Sequence, residues 1–112
     1  MNRRQLILAL LVGIALQVAM VIAGHGSAAV RDWFALGGMG ISALAGWLAA
    51  RGGTGWAGAL AAGGIAGGVC AAVGIGVSVV LGDVPETLLL MGTAASLLTG
   101  LIGGAIARAA AR

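Results

Sequence analysis

The sequence has no Lys and no Tyr, and among its 112 residues it carries only one Pro, one Cys, one His and one Phe. Charged residues make up 8% of the chain, against about a quarter in a soluble domain. Each shortage excludes something. A lone Cys70 allows neither an intrachain disulfide nor a thiolate zinc site, and its Gly, Val and Ala surroundings make it an inert packing residue. A lone His25 in a short loop supplies no Ser-His-Asp constellation, and with no second His it reads as a solvated loop residue rather than a metal or haem ligand. The scarcity of charge excludes a water-soluble globule. It also excludes a disordered chain, which is poor in apolar residues and rich in charge, whereas 61% of this one is hydrophobic.

What is abundant is apolar surface: with its 22 Gly counted, roughly four fifths of the chain is apolar, against about half of a soluble domain. The composition is that of an integral membrane protein. Three acids and six Arg divide the chain into uncharged runs over 5–30, 33–50, 52–82 and 87–107. A bilayer core of about 30 Å needs roughly 20 apolar residues of helix. The sequence therefore predicts an all-α membrane protein, a single domain over 1–112 with four transmembrane helices near 5–24, 33–50, 56–81 and 86–107. No segment alternates apolar and polar residues, and four strands could not close a barrel, so the spans are read as helices.

Basic residues flanking spans stay on the cytoplasmic side. Four spans place Arg3, Arg4, Arg51, Arg108 and Arg112 on one side and Arg31 alone on the other, with Asp32, Asp83 and Glu86 opposite the Arg-rich face. Both termini are therefore expected in the cytoplasm, and the Arg-only, Ala/Gly-rich usage suggests a bacterial inner membrane. Trp33, Trp47 and Trp56 fall at interfacial depths, where amphipathic rings settle. The N-terminal segment competes as a signal peptide, but its apolar stretch from Leu6 to Ile22 exceeds the roughly 7 to 15 residues of such cores.

The connections are short. Asp83-Val84-Pro85-Glu86 has the spacing of a capping box with Pro85 in the first turn, Asp32 is placed to cap the second span, and Gly52-Gly53-Thr54-Gly55 reads as a turn in which Thr54 caps the third. The third span, Trp56 to Leu81, is long enough to require tilt, bending or fraying, with Gly74 and Gly76 as its weak point.

In lipid, helices associate through small residues that let backbones approach. Gly38, Ser42, Gly46 and Ala50 recur every four residues along the second span. Two stripes run along the third, Ala59-Gly63-Gly67-Ala71 beside Gly64-Gly68-Ala72-Gly76, and Gly92, Ser96, Gly100 and Gly104 form another along the fourth. The first span, rich in Leu and Ile with Gly13 as its one interior Gly, is expected to face lipid. The double stripe exceeds what one neighbour needs, so it serves either two neighbours in the chain or a second copy or partner. A faint echo of Asp32, Met39-Gly40 and Ala50-Arg51 in Asp83, Met91-Gly92 and Ala107-Arg108 admits two parallel hairpin repeats.

No predicted span carries an acid, Arg or His within the bilayer, Glu86 standing only at the outer start of the fourth, so the usual mark of proton relays and ion paths is missing. Among the polar residues inside the bilayer, Gln17 and Thr99 are candidates for an interhelical contact or a polar path. Gly53-x-Gly55-x-x-Gly58 fits a dinucleotide fingerprint in letters but lacks the preceding strand and the acid about 20 residues on. Arg51, beside the start of the third span, is a candidate contact for a lipid phosphate. In length and span number the chain is similar to small multidrug resistance transporters and to fluoride channels. Its first span, however, lacks the embedded carboxylate of the former, and Phe34, its one Phe, offers no counterpart to the Phe-rich pore of the latter. No catalytic residue, metal or cofactor is expected, and the protein is read as a non-enzyme that binds no nucleic acid. Its expected partners are membrane lipids and either another membrane protein or further copies of itself. The leading expectation is an accessory or assembly subunit; the rivals are a homo-oligomeric facilitator for a small neutral solute, with Gln17, Ser42, Ser96 and Thr99 along the path, and a holin-like permeabiliser.

Overall fold

A computed structural model describes residues 2–51 and 55–110. Its elements are α1 (Arg3–His25), the single-turn α2 (Ala28–Arg31), α3 (Phe34–Ala50), α4 (Trp56–Val80) and α5 (Thr87–Ala110), with no strand among the described residues. The four long helices fill the four uncharged runs, because an apolar run in lipid satisfies its backbone only by bonding within itself. Three of them, α1, α4 and α5, are long and apolar enough to cross a membrane, and α3 is a shorter apolar helix of 17 residues. The build is that of a helical membrane protein.

Asn2 starts α1, its side-chain oxygen accepting from the amides of Arg4 and Gln5 at 3.1 and 3.3 Å. Two expected caps are corrected. Ser27, not Asp32, caps the helical turn after the first loop, accepting from the Val30 amide, and Asp32 itself has helical dihedrals (φ −63°, ψ −21°) at the C-terminal end of α2. A cap needs extended backbone, so α3 begins after Trp33 without a side-chain cap. Asp83 does not form a capping box with Glu86. Its carboxylate is taken by His25 and Arg31, and the first turn of α5 is closed instead by backbone bonds from Leu88 and Leu89 to the carbonyls of Pro85 and Glu86. At the other end α4 starts after Gly55, whose position carries no side-chain cap bond; the expected turn residues Gly52 and Gly53, the Thr54 cap and Arg112 lie outside the described residues. The α4 helix runs without interruption through Gly74 and Gly76 and ends at Val80.

The antiparallel pair α3 and α4 is the centre of the bundle. Helix α1 packs on one side of this pair and α5 on the other, and α1 and α5 share no interface of comparable extent. Two parallel hairpin repeats closed by a two-fold axis would match the α3–α4 interface with an α1–α5 one, so the echo in the sequence is not expressed as such a symmetry. Because successive helices alternate in direction, Arg3, Arg4, Arg51 and Arg108 gather at one end and His25, Arg31, Asp32, Asp83 and Glu86 at the other. We call these the Arg end and the acid end.

Candidate functional site

The buried face of α1 is built from Ala9, Gly13, Gln17 and Val21, spaced four apart so that they form one stripe. Gly13 brings α1 against α3 and α4: a Cβ there would lie 3.0 Å from Cys70 Cβ and 3.1 Å from Ala45 Cβ. One turn further on, Gln17 enters the middle of the bundle at 2% exposure. Its Nε2 donates to the Gly38 carbonyl at 3.0 Å and to Ser42 Oγ at 3.3 Å. Ser42 Oγ in turn donates to the Gly67 carbonyl at 3.1 Å, which also accepts from Cys70 Sγ at 3.4 Å. A carbonyl only accepts, so the amide nitrogen must face Gly38, and Oε1 is left as a free acceptor facing Gly74. This polar node ties α1, α3 and α4 together across the least polar part of the molecule.

Toward the Arg end the helices close on one another. A Cβ at Gly67 would sit 2.7 Å from Gly100 Cα and from the Ser96 carbonyl, and a Cβ at Gly104 2.5 Å from the Ala59 carbonyl. At Gly46, Gly63, Gly100 and Gly103 an added Cβ would run into facing backbone of another helix, so these positions are glycine because backbone occupies the space. Gly100 meets α3 at Gly46 and α4 at Gly63 and Gly67. Both stripes of α4 face α5, since Gly64 and Gly68 seat Leu101 and Leu97. Gly76, at the acid end of the second stripe, has nothing within 4 Å of where its Cβ would be.

Toward the acid end the bundle opens. A cavity of about 320 Å³ lies above the polar node, and all four long helices contribute to its wall. Gln17, Ser78 and Ser96 are its polar wall residues, and Gly38 and Gly92 lie on opposite sides. Gly92 faces Ile75, whose Cδ1 would be 2.5 Å from an added Cβ. At the acid end proper, the Asp83 side chain is 7% exposed and accepts from His25 Nδ1 at 2.9 Å and Arg31 Nη1 at 3.1 Å. The His25 hydrogen bond, and after it the charges of His25 and Arg31, hold the Asp83 carboxyl below the usual carboxylate range against the opposing effect of burial. His25, the exposed last residue of α1 rather than a loop residue, thus has an acid partner, because the α4–α5 turn brings Asp83 beside it from 58 positions away.

At the Arg end, the Arg51 guanidinium lies 4.7 Å from the Trp47 ring centroid and that of Arg108 5.6 Å from Trp56. Thr99, a candidate for the path or for an interhelical bond, donates to the Ser96 carbonyl of its own helix at 2.9 Å. The structure therefore brings Gln17, Ser42 and Gly38 together with Cys70 and Gly67, and separates them from Thr99 and Arg51. Sequence reasoning missed the α1 stripe, although Ala9 and Gly13 at a spacing of four before Gln17 were its signal. It had no signal for the cavity.

Fold and site together define a helical, membrane-type bundle with a buried polar node under an open-ended cavity. No family model, curated protein or solved structure matches the chain.

Proposed function

We propose that the protein is a four-span resident of the bacterial inner membrane with both termini cytoplasmic, and that it is a non-catalytic accessory subunit holding a transmembrane helix of a larger membrane protein. The observation that carries this reading is the groove between the acid-end halves of α4 and α5, walled by Ala72, Gly76 and Val80 on one side and Leu90, Thr93 and Ala94 on the other, with Glu86 its one charged wall residue. The Gly76 position is open, and Thr93 Oγ1 is buried with no hydrogen-bond partner among the described residues. A small-residue surface beside an unpartnered hydroxyl is what an apolar helix carrying one polar group would fill.

The finer features follow from general rules. At 17 residues α3 is about 26 Å long, at the short limit for a span, and the flanking Trp33 and Arg51 extend it to the interfaces. Four Arg at one end against Arg31 at the other support a cytoplasmic Arg end, since basic residues flanking spans stay on that side. Three of the donors a solute path would use are engaged within the protein, Gln17 Nε2 and Ser42 Oγ in the node and Thr99 Oγ1 in its own helix, which weighs against that reading. The Gly46–Gly63–Gly100 junction also stops the cavity short of the Arg end.

Native mass spectrometry of the tagged protein, extracted from its own membranes into polymer discs, tests the proposal. A defined complex with a second, larger membrane protein is expected, and Gly76→Leu should abolish it while leaving the free protein folded. Recovery as a bare monomer or only as a homo-oligomer overturns the accessory reading.

A further inference from the structure

The packing of the cavity contradicts the economy of the rest of the chain. Toward the Arg end, facing backbone leaves no space for a methyl group at Gly46, Gly63, Gly67, Gly100, Gly103 and Gly104, yet toward the acid end the same four helices leave about 320 Å³ unfilled. The large flexible residues concentrate there. Met20, Met39 and Met91, which are every Met after the first residue, line this one cavity together with Phe34, the one Phe of the chain. Met is unbranched and polarisable, and it moulds to varied shapes at binding surfaces. On the wall facing them, Ser78 is 1% exposed and its Oγ has no hydrogen-bond partner among the described residues. A buried hydroxyl left unpaired is costly, so it points to a missing partner. Gly74, against which Gln17 packs, lies four residues before Ser78, about 6 Å along α4, so Gln17 and Ser78 stand on successive levels of the cavity wall.

From this wall we infer that the cavity is a binding site for a small, uncharged and largely hydrocarbon molecule bearing one hydroxyl, drawn from the membrane through the rim at Met39 and Met91. No acid, Arg or His lines the cavity, which excludes a charged ligand on desolvation grounds. A hydroxyl is the group that can donate to Gln17 Oε1 and still accept from Ser78 Oγ. The volume sets the size: at roughly 30 Å³ for each heavy atom, the share of a water in the liquid, about ten atoms fit. Met91 is 68% exposed and Met39 half-buried, so the rim faces the surroundings of the bundle, where such a molecule dissolves.

The test is photolabelling of the purified protein in lipid nanodiscs with an octanol carrying a diazirine, the adducts mapped by mass spectrometry. Saturable labelling at Met39, Met91 and their cavity neighbours is expected, displaced by excess 1-octanol and not by octane. Ala95→Leu, which fills the cavity from α5, and Met39→Trp, which fills it from the rim, should each abolish the saturable component. Using two variants on different helices separates occupancy from a local disturbance of either helix. Ser78→Ala should raise the half-saturating concentration about tenfold, the loss of one hydrogen bond. Labelling that is unsaturable and spread over the exposed Leu and Ile of α1 overturns the site, as does saturable labelling that survives both filling variants. Equal displacement by octane overturns the role of the hydroxyl.

Discussion

An amide in the middle of an apolar helix needs acceptors outside its own backbone, and Gln17 finds them on α3. Interhelical hydrogen bonds of this kind contribute about 0.6 kcal/mol on average and up to about 1.7. Gln17→Leu keeps the volume but deletes the donor to Gly38 and Ser42, so it should lower the free energy of unfolding, measured by steric trapping in bilayer discs, by about 1 kcal/mol. No loss of stability would show that the amide contributes nothing net. Asp83 gives a prediction with a definite sign. Its folded carboxyl is held below the ordinary value of 3.8, so its stabilising effect is complete above that value and is lost as pH falls through the lower, folded one. Thermal unfolding followed from pH 7 to pH 2 should show the wild type losing stability in the acid range. Asp83→Asn should begin less stable at pH 7 and change less over that range; parallel curves would remove Asp83 as the cause. The capping role the sequence suggested for Asp83 was reasonable locally. What it missed is that His25 on α1 and the Arg31 guanidinium on α2 outcompete a neighbouring amide once folding brings them within reach.

At the scale of the element, the glycines divide by what faces them rather than by where they fall in the sequence. Gly100 faces backbone on two helices, and Gly40 faces open space within α3. Gly100→Ala should force the α3, α4 and α5 axes apart and lower stability by several kcal/mol, as overpacking of a close junction does, with about 1 to 3 kcal/mol typical of ordinary cores. Gly40→Ala should instead stabilise by up to about 1 kcal/mol through helix propensity. Chemical or thermal unfolding of the two variants side by side checks the contrast, and equal effects would contradict it. Gly82 is the one described residue with positive φ, at 78°, ending α4 where the chain turns toward Pro85. Gly82→Ala should cost about 1 to 2 kcal/mol in the same assay, the strain of the left-handed region. Helix extents were legible because charge and Pro interrupt the apolar runs: the expected third span, 56–81, and the observed Trp56–Val80 differ by one residue. Which glycines bear weight was not legible, because a spacing of four marks a face without saying whether backbone, a Leu side chain or nothing lies across it.

For the whole molecule, the bundle is two unlike halves. Small residues clamp the Arg end, while the acid end carries the cavity, the groove and the ion pairs. Few buried contacts mean lower local stability. Hydrogen exchange in nanodiscs should therefore be faster for amides 90–95 of α5 than for 97–104 of the same helix. A uniform rate along α5 would contradict the two-half description. The sequence announced the clamp through its Gly repeats. It could not announce the cavity, which depends on how far four helices diverge above Gln17, a quantity set by tertiary geometry and not by any local pattern.

The central position of α3 and α4 also bears on biogenesis. Helices α1 and α3 leave the ribosome before α4 and α5 and can satisfy the Gln17 amide between themselves, since its acceptors Gly38 and Ser42 lie on α3. The flank of α3 around Ala43, Gly46 and Trp47 has to wait for Gly100 and Gly103 on the last helix. Until α5 has emerged from the ribosome, this flank of α3 is a bare helix-binding surface. A helix that mispaired there would have to be displaced before the Gly46–Gly100 junction could close.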